Sequence, residues 1–410
     1  RPFIVWGAVF VLVADVLISF SSDLGAFFGD RVVRDPDTGV VLRLFRPGAI
    51  LFFVLGFWIL DISNNVLQGP SRALIADLVP EHQHDLAFSY TNMWIALGNI
   101  TGYAAGFVDW QAVCPWSLTH ACDAACGNLR VAFLVAMVAL TLGTALTVLS
   151  HSETPLKRST LPASNALHRA SLDSLRVVFR ELSQISAPMK IICLVMFLNW
   201  IGWYAFFLFN TDWFARVVGH GDPGGSPADI VSYDSGVRLG ALGLMANATV
   251  AFVSSFVIPR TLATLTLRGA WVGGMVLFGA TMVCFVQIES LFGGMLAFAV
   301  LGVPWAILLI VPSTYVGRLA TPENRGVLFG VLNIFVVLPQ LLVSALAPLF
   351  ARSMHGTSAG SIDAYTFALG GVVSLVGAVY ASRLLPQDTE TSSELVGLLD
   401  RQDDADVDVI

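Results

Sequence analysis

Charge is what this sequence has least of. Only 12% of its 410 residues are Asp, Glu, Lys or Arg, whereas 56% are hydrophobic and the mean hydropathy is +0.74. Soluble domains carry roughly a quarter of their residues as charges, so this chain cannot hide its apolar surface in water. Cysteine is scarce as well. Of five, Cys114, Cys122 and Cys126 fall in one predicted loop, and Cys193 and Cys284 in apolar runs. Under oxidising conditions outside the cell two of the three loop thiols can pair, or all three stay free. Together with His120 they lack the paired spacing of a zinc site, so no metal is expected. The sequence has no Walker loop and no H-E-x-x-H. Its one G-x-S-x-G match, Gly356 to Gly360, lies in a polar loop rather than at a strand-to-helix elbow, so enzymatic and ATP-driven readings are set aside. A filter-like repeat of the kind that builds a channel is missing too. No cofactor and no nucleic-acid partner is expected.

What is present is apolar length. A bilayer core of about 30 Å takes roughly 20 apolar residues per helix. Ten such runs occur, near 3–20, 48–70, 87–108, 130–150, 189–209, 239–258, 270–288, 292–315, 326–350 and 364–384. They are solidly apolar rather than alternating, which excludes a transmembrane barrel. The expectation is an all-α, multi-pass integral membrane protein with the lipid bilayer as its solvent. With a cytoplasmic amino end, fourteen Lys and Arg lie inside and eight outside, in keeping with the positive-inside bias.

Four spans precede the polar segment 151–188 and six follow it. The predicted organisation is a helical half at 1–150, a cytoplasmic loop at 151–188, a second helical half at 189–385 and an acidic, disordered cytoplasmic tail at 386–410. The chain opens on Arg1-Pro2-Phe3-Ile4 without a Met and without a signal-peptide layout. In a six-plus-six transporter, two spans are then expected ahead of Arg1. An internal echo supports duplication. Val54-Leu55-Gly56 recurs as Val300-Leu301-Gly302, Pro80-Glu81 as Pro322-Glu323, and Phe88 with Asn92 as Phe329 with Asn333.

A charge inside a span costs several kcal/mol and needs a reason. The second span reads Asp61 to Arg72 as DISNNVLQGPSR. On a helix Asp61, Asn65, Gln68 and Arg72 share an arc of roughly 60°, with Asn64 beside it. Asp61 and Arg72 are about 16 Å apart along the axis, too far to pair directly. A carboxylate without a close cation can take and release a proton, which makes Asp61 the candidate proton site. Arg72 is either an orienting anchor or a fork-shaped donor for sugar hydroxyls or a carboxylate. Gly69 and Pro70 are expected to break the helix just before it.

The run DISNNVLQGPSRALIAD, Asp61 to Asp77, resembles the fourth-span signature of the plant and algal sucrose/proton symporters. Arg1-Pro2-Phe3-Ile4, Trp200 to Trp203, Phe209 to Trp213, Asp234 to Met245 and Leu332 to Gln340 are similar to other stretches of that family, so the resemblance covers all ten spans. It implies a major facilitator fold with ten of twelve helices present. It implies proton-coupled symport of sucrose or a related glucoside, with Asp61 as the coupling carboxylate and Arg72 as a substrate-linked cation. It also points to Asp212 and Arg216, four apart at the outer end of the family's seventh span. Two departures thin that outer cluster: Asn210 and Val217 stand where the family usually has acids. Asn64, Asn65, Gln68, Trp203, Asn247 and Asn333 complete the candidate sugar contacts, because amides and aromatics suit a neutral polyol. For each, an interhelical hydrogen bond or a packing role is the competing reading. The alternative function is an animal-type proton-coupled carrier of maltose or glucose. A monomeric unit in the plasma membrane, rather than the vacuolar membrane, is expected.

Overall fold

The computed structural model of the chain describes residues 2–34, 41–105, 108, 110–122, 124–150, 185–262, 265–321, 325–354 and 356–386. Arg1, nearly all of the expected central loop and acidic tail, and the Pro322-Glu323 pair lie outside them. The helices are α1 (Pro2–Ser19), α2 (Ser21–Phe27), α3 (Pro47–Leu78), α4 (His84–Ala105), α5 (Trp110–Val113), α6 (Ala124–Ser150) and α7 (Ala187–Trp213). After a π-turn, Phe214–Val218, follow α8 (Pro227–Leu262), α9 (Leu267–Cys284), α10 (Leu291–Val300), α11 (Gly302–Leu319), α12 (Arg325–Ser353) and α13 (Ala359–Leu384). Among the described residues nine helical stretches are long and apolar enough to cross a membrane, α10 and α11 counting as one. The tenth expected span is α4, which is more polar and opens on His84 and Asp85.

One local expectation is corrected. Helix α3 does not break at Gly69-Pro70 but runs on to Leu78. Proline removes one backbone hydrogen bond, and here the turns beyond it bury Ala73 and Ala76 in a core, which keeps them helical. The all-α expectation holds, with one short hairpin between α2 and α3. Strands β1 (Arg31–Arg34) and β2 (Val41–Phe45) pair antiparallel, with Val32 opposite Leu44.

The chain divides into two compact units, Arg1–Ser71 with Ala105–Leu167, and Arg72–Ala104 with His168–Ile410. In the first, a Cβ added to Gly56 would meet Leu17 and Ile18, and one added to Gly7 would meet Leu67, so small residues let α3 lie close on α1. Asp30 accepts from the backbone N–H groups of Gly48 and Ala49 at 2.9 and 2.7 Å, which satisfies two orphan donors at the start of α3. Arg130, on α6, is 2% exposed and pairs with Asp23, while donating to the carbonyls of Ser117 and Ser19. A disulfide joins Cys122 to Cys126, and Cys114 stays free.

The second unit is held by large aromatics and by glycines. Trp203, Trp213, Phe206, Phe278, Phe298 and Phe367 are fully buried around α7. In lipid, helices gain little from the hydrophobic effect, so interlocking contact of this kind carries the association. Gly202 on α7 faces the carbonyl of Gly370 on α13, and Gly279 on α9 faces that of Gly371, each leaving no room for a Cβ. Phe88 and Phe329, equivalent positions in the internal echo, meet with ring centroids 5.9 Å apart.

Candidate functional site

The polar stripe of α3 lies on the face turned away from α1. Gly56, Ser63 and Leu67 form the packed face, and Asp61, Asn65, Gln68 and Arg72 are centred roughly 150° around the helix from it. Asp61, Asn64 and Gln68 are exposed, and Asn65 and Arg72 are half-buried. Asn65 donates from Nδ2 to the carbonyl of Asp61 at 2.8 Å, which locks one amide beside the acid. Among the described residues no ion pair involves Asp61 or Arg72. The stripe thus brings a carboxylate, three amides and a guanidinium together along one side of α3. Such a surface suits a neutral, hydroxyl-rich ligand, since amides and a guanidinium donate and a carboxylate accepts.

Within the second unit a second polar cluster assembles. Arg216 Nε donates to Asp212 Oδ2 at 2.8 Å, the pair expected from their i, i+4 spacing. Tyr233, on α8, donates its hydroxyl to Asp212 Oδ1 and lies under the Arg216 guanidinium, 5.6 Å from ring centroid to Cζ. Asp222 lies 3.7 Å from Arg216 Nη1. Asp363, on α13, closes the group from a third helix.

The remaining candidates sit in packed surroundings. Trp203 is 1% exposed and enclosed by Phe278, Trp305 and Phe207. Asn247 is buried and donates to the carbonyl of Phe298 at 3.0 Å, fastening α8 to α10. Asn333 is buried within α12. Its repeat partner Asn92 donates to Ser255 Oγ at 2.9 Å. A cavity of about 500 Å³ between α4 and α8 is lined by His82, Asp85, Tyr90, Ser255 and Arg260, and none of the candidate residues borders it.

Sequence reasoning missed Asp15, Tyr233 and Asp363. Asp15 is 5% exposed in α1 and carried its own signal, an acid in the middle of an apolar run. Tyr233 and Asp363 carried none, because tertiary packing alone brings them to Asp212. The G-x-S-x-G match proves to be a helix start: Ser358 Oγ accepts from the Ser361 N–H and caps α13.

No family model matches the chain. It is 35% identical to sucrose transport protein SUT3 of Oryza sativa subsp. japonica, the match spanning 97% of this chain and 81% of the relative. With sucrose transport protein SUC3 of Arabidopsis thaliana it shares 31% identity over 94% of this chain and 76% of the other. Among solved structures, the proton:xylose symporter XylE superposes with a TM-score of 0.62 at 14% identity, covering 93% and 80% of the two chains. The E. coli fucose:proton symporter FucP gives 0.55 at 13% identity over 92% and 84%. These relatives are transport proteins rather than enzymes, and the structural likeness extends over nearly the whole chain. By sequence this multi-pass membrane protein belongs to the sucrose transport protein family, built on the fold of the major facilitator superfamily.

Proposed function

We propose that this protein carries sucrose or a related glucoside across the membrane together with a proton. The observation that carries the reading is the stripe on α3: Asp61, with no ion-pair partner among the described residues, stands among Asn64, Asn65, Gln68 and Arg72 on the helix face turned away from α1. Asp61 takes the proton, since an ionisable side chain within a membrane-spanning helix marks a site of function and a carboxylate is the group of this stripe that can bind and release a proton. Arg72 and the amides hold hydroxyls. Arg72 supplies a planar, multi-donor fork and the amides supply both donors and acceptors. Asp212 and Arg216 form an outer charged group near the sugar's path, and Trp203, Asn247 and Asn333 shape the helices around it. The working unit is one copy of the chain in the plasma membrane, with the amino end inside.

The relatives' names support the sugar, and the two symporters of like fold support the coupling ion as a class. The test is uptake of labelled sucrose by the protein in sealed vesicles with an imposed pH gradient, with maltose and glucose as competitors. Accumulation that follows the proton gradient and is displaced by sucrose is the expected result. Uptake indifferent to the gradient contradicts the coupling, and displacement by glucose but not by sucrose contradicts the substrate.

A further inference from the structure

The transport reading leaves one buried acid without a task. Asp363 sits in the second turn of α13 and is 4% exposed. Its Oδ2 receives no hydrogen bond from any N–H or O–H among the described residues. Gly360 packs on Arg216 and Phe367 on Trp213, so Asp363, between them on α13, is held level with Asp212 and interacts with its carboxylate. Asp212 is already engaged on both oxygens, by Arg216 Nε on Oδ2 and by the Tyr233 hydroxyl on Oδ1. Two carboxyl groups therefore meet, and two acceptors attract each other only when one of them carries a proton.

Charge balance points the same way. Arg216 is the cation of this cluster, and it answers to Asp212, to Asp222 at 3.7 Å and to the field of Asp363. One positive charge facing three acids leaves a surplus of negative charge where Asp363 is shut off from water, and a single bound proton reduces it. The backbone holds the groups in place. A Cβ added to Gly360 would lie 2.7 Å from Val217 Cγ2, and one added to Gly236 would lie 2.5 Å from the Ala215 Cα, so α13 and α8 both press against the π-turn that carries Arg216. One turn further along α13, Phe367 packs on the uncharged ring of Phe285.

We propose that Asp212 and Asp363 hold one proton between them, a protonation site separate from Asp61 that fastens α13 to α7 and α8. When the proton leaves, two negative charges face each other at contact and the fastening weakens. The site is a property of the helix bundle and stands whether or not sugar and proton move together.

Infrared spectroscopy of the purified full chain in detergent reads the proton directly, through the C=O stretch of a protonated carboxylic acid. In the range of roughly pH 5 to 8, where exposed Asp is ionised, the wild type is expected to show a carboxylic acid signal that Asp61→Asn retains. Asp363→Asn and, as a second variant, Asp212→Asn lose one acid equivalent of it. As the pH rises through the loss of that signal, the unfolding temperature of the wild type falls, because the native state then carries the repulsion. Asp363→Asn, whose amide donates to Asp212 at every pH, lacks that fall. A signal of equal size in the wild type and in Asp363→Asn overturns the proposal, and so does a signal that only Asp61→Asn removes.

Discussion

Asp77, in the last turn of α3, and Arg325, at the start of α12, form a 2.7 Å ion pair across 248 residues of sequence. The two partners are unequal. Arg325 is buried and also donates to the carbonyls of Ala76 at 2.9 Å and Ala320 at 3.4 Å, whereas the Asp77 side chain is 52% exposed. Helix α4 is fastened to the same region through His84, whose Nε2 lies 3.1 Å from the Val79 carbonyl and whose ring packs on Gly317.

That inequality predicts an asymmetric response to mutation. Asp77→Asn removes a solvent-facing charge and is expected to lower stability by under about 1 kcal/mol. Arg325→Ala strips donors from two buried carbonyls and is expected to lower it by about 3 kcal/mol. Thermal unfolding of the two variants in one detergent measures the difference, and equal losses contradict the assignment.

Close glycine contacts predict a second effect. In Gly371→Ala the new methyl lands 2.8 Å from the Gly279 carbonyl, a backbone atom that cannot turn aside. The expected loss is about 1–3 kcal/mol. Gly143→Ala, where a Cβ meets nothing within 4 Å, serves as the control and is expected to be neutral or slightly stabilising. Similar unfolding temperatures for the two variants would show that α9 and α13 are less tightly joined than described.

Cysteine chemistry gives a third. Cys122 and Cys126 are bonded, Cys193 is buried, and Cys114 and Cys284 are at least partly accessible. Alkylation of the unfolded protein is expected to modify three thiols before reduction and five after it. Five before reduction would exclude the disulfide.

Much of this architecture was legible in the sequence, because apolar length has one physical meaning in a bilayer. All ten runs are helical. Their ends were less legible. The segment Pro227 to Arg238 reads as polar loop and is instead the first third of α8, since a helix continues past the apolar core wherever neighbours bury it, as Gly236 does against Ala215. The α3 stripe and the Asp212–Arg216 pair were legible because both rest on spacing within one helix. Asp363 and Tyr233 were not, as their partners lie on other helices and no local pattern records that meeting. Asp15 is a different case, since the rule that an acid inside an apolar run needs a reason applied to it and went unused.

The reading of Arg72 predicts that shape counts as well as charge. Arg72→Lys keeps the charge and the topology but replaces a planar fork with a point charge. Losing one charge-assisted hydrogen bond is worth roughly 1.5–3 kcal/mol, which is about ten- to a hundred-fold in apparent sugar affinity. Uptake kinetics at matched surface expression decide the matter, and unchanged kinetics return Arg72 to an anchoring role.

If Asp61 couples sugar movement to the proton, Asp61→Asn uncouples the two. An amide of the same shape accepts and donates hydrogen bonds but exchanges no proton. In sealed vesicles, the variant is expected to exchange labelled for unlabelled sugar at a measurable rate while failing to accumulate sugar under an inward proton gradient. Accumulation by Asp61→Asn equal to that of the wild type, at matched protein content and acidic outside pH, would contradict the account.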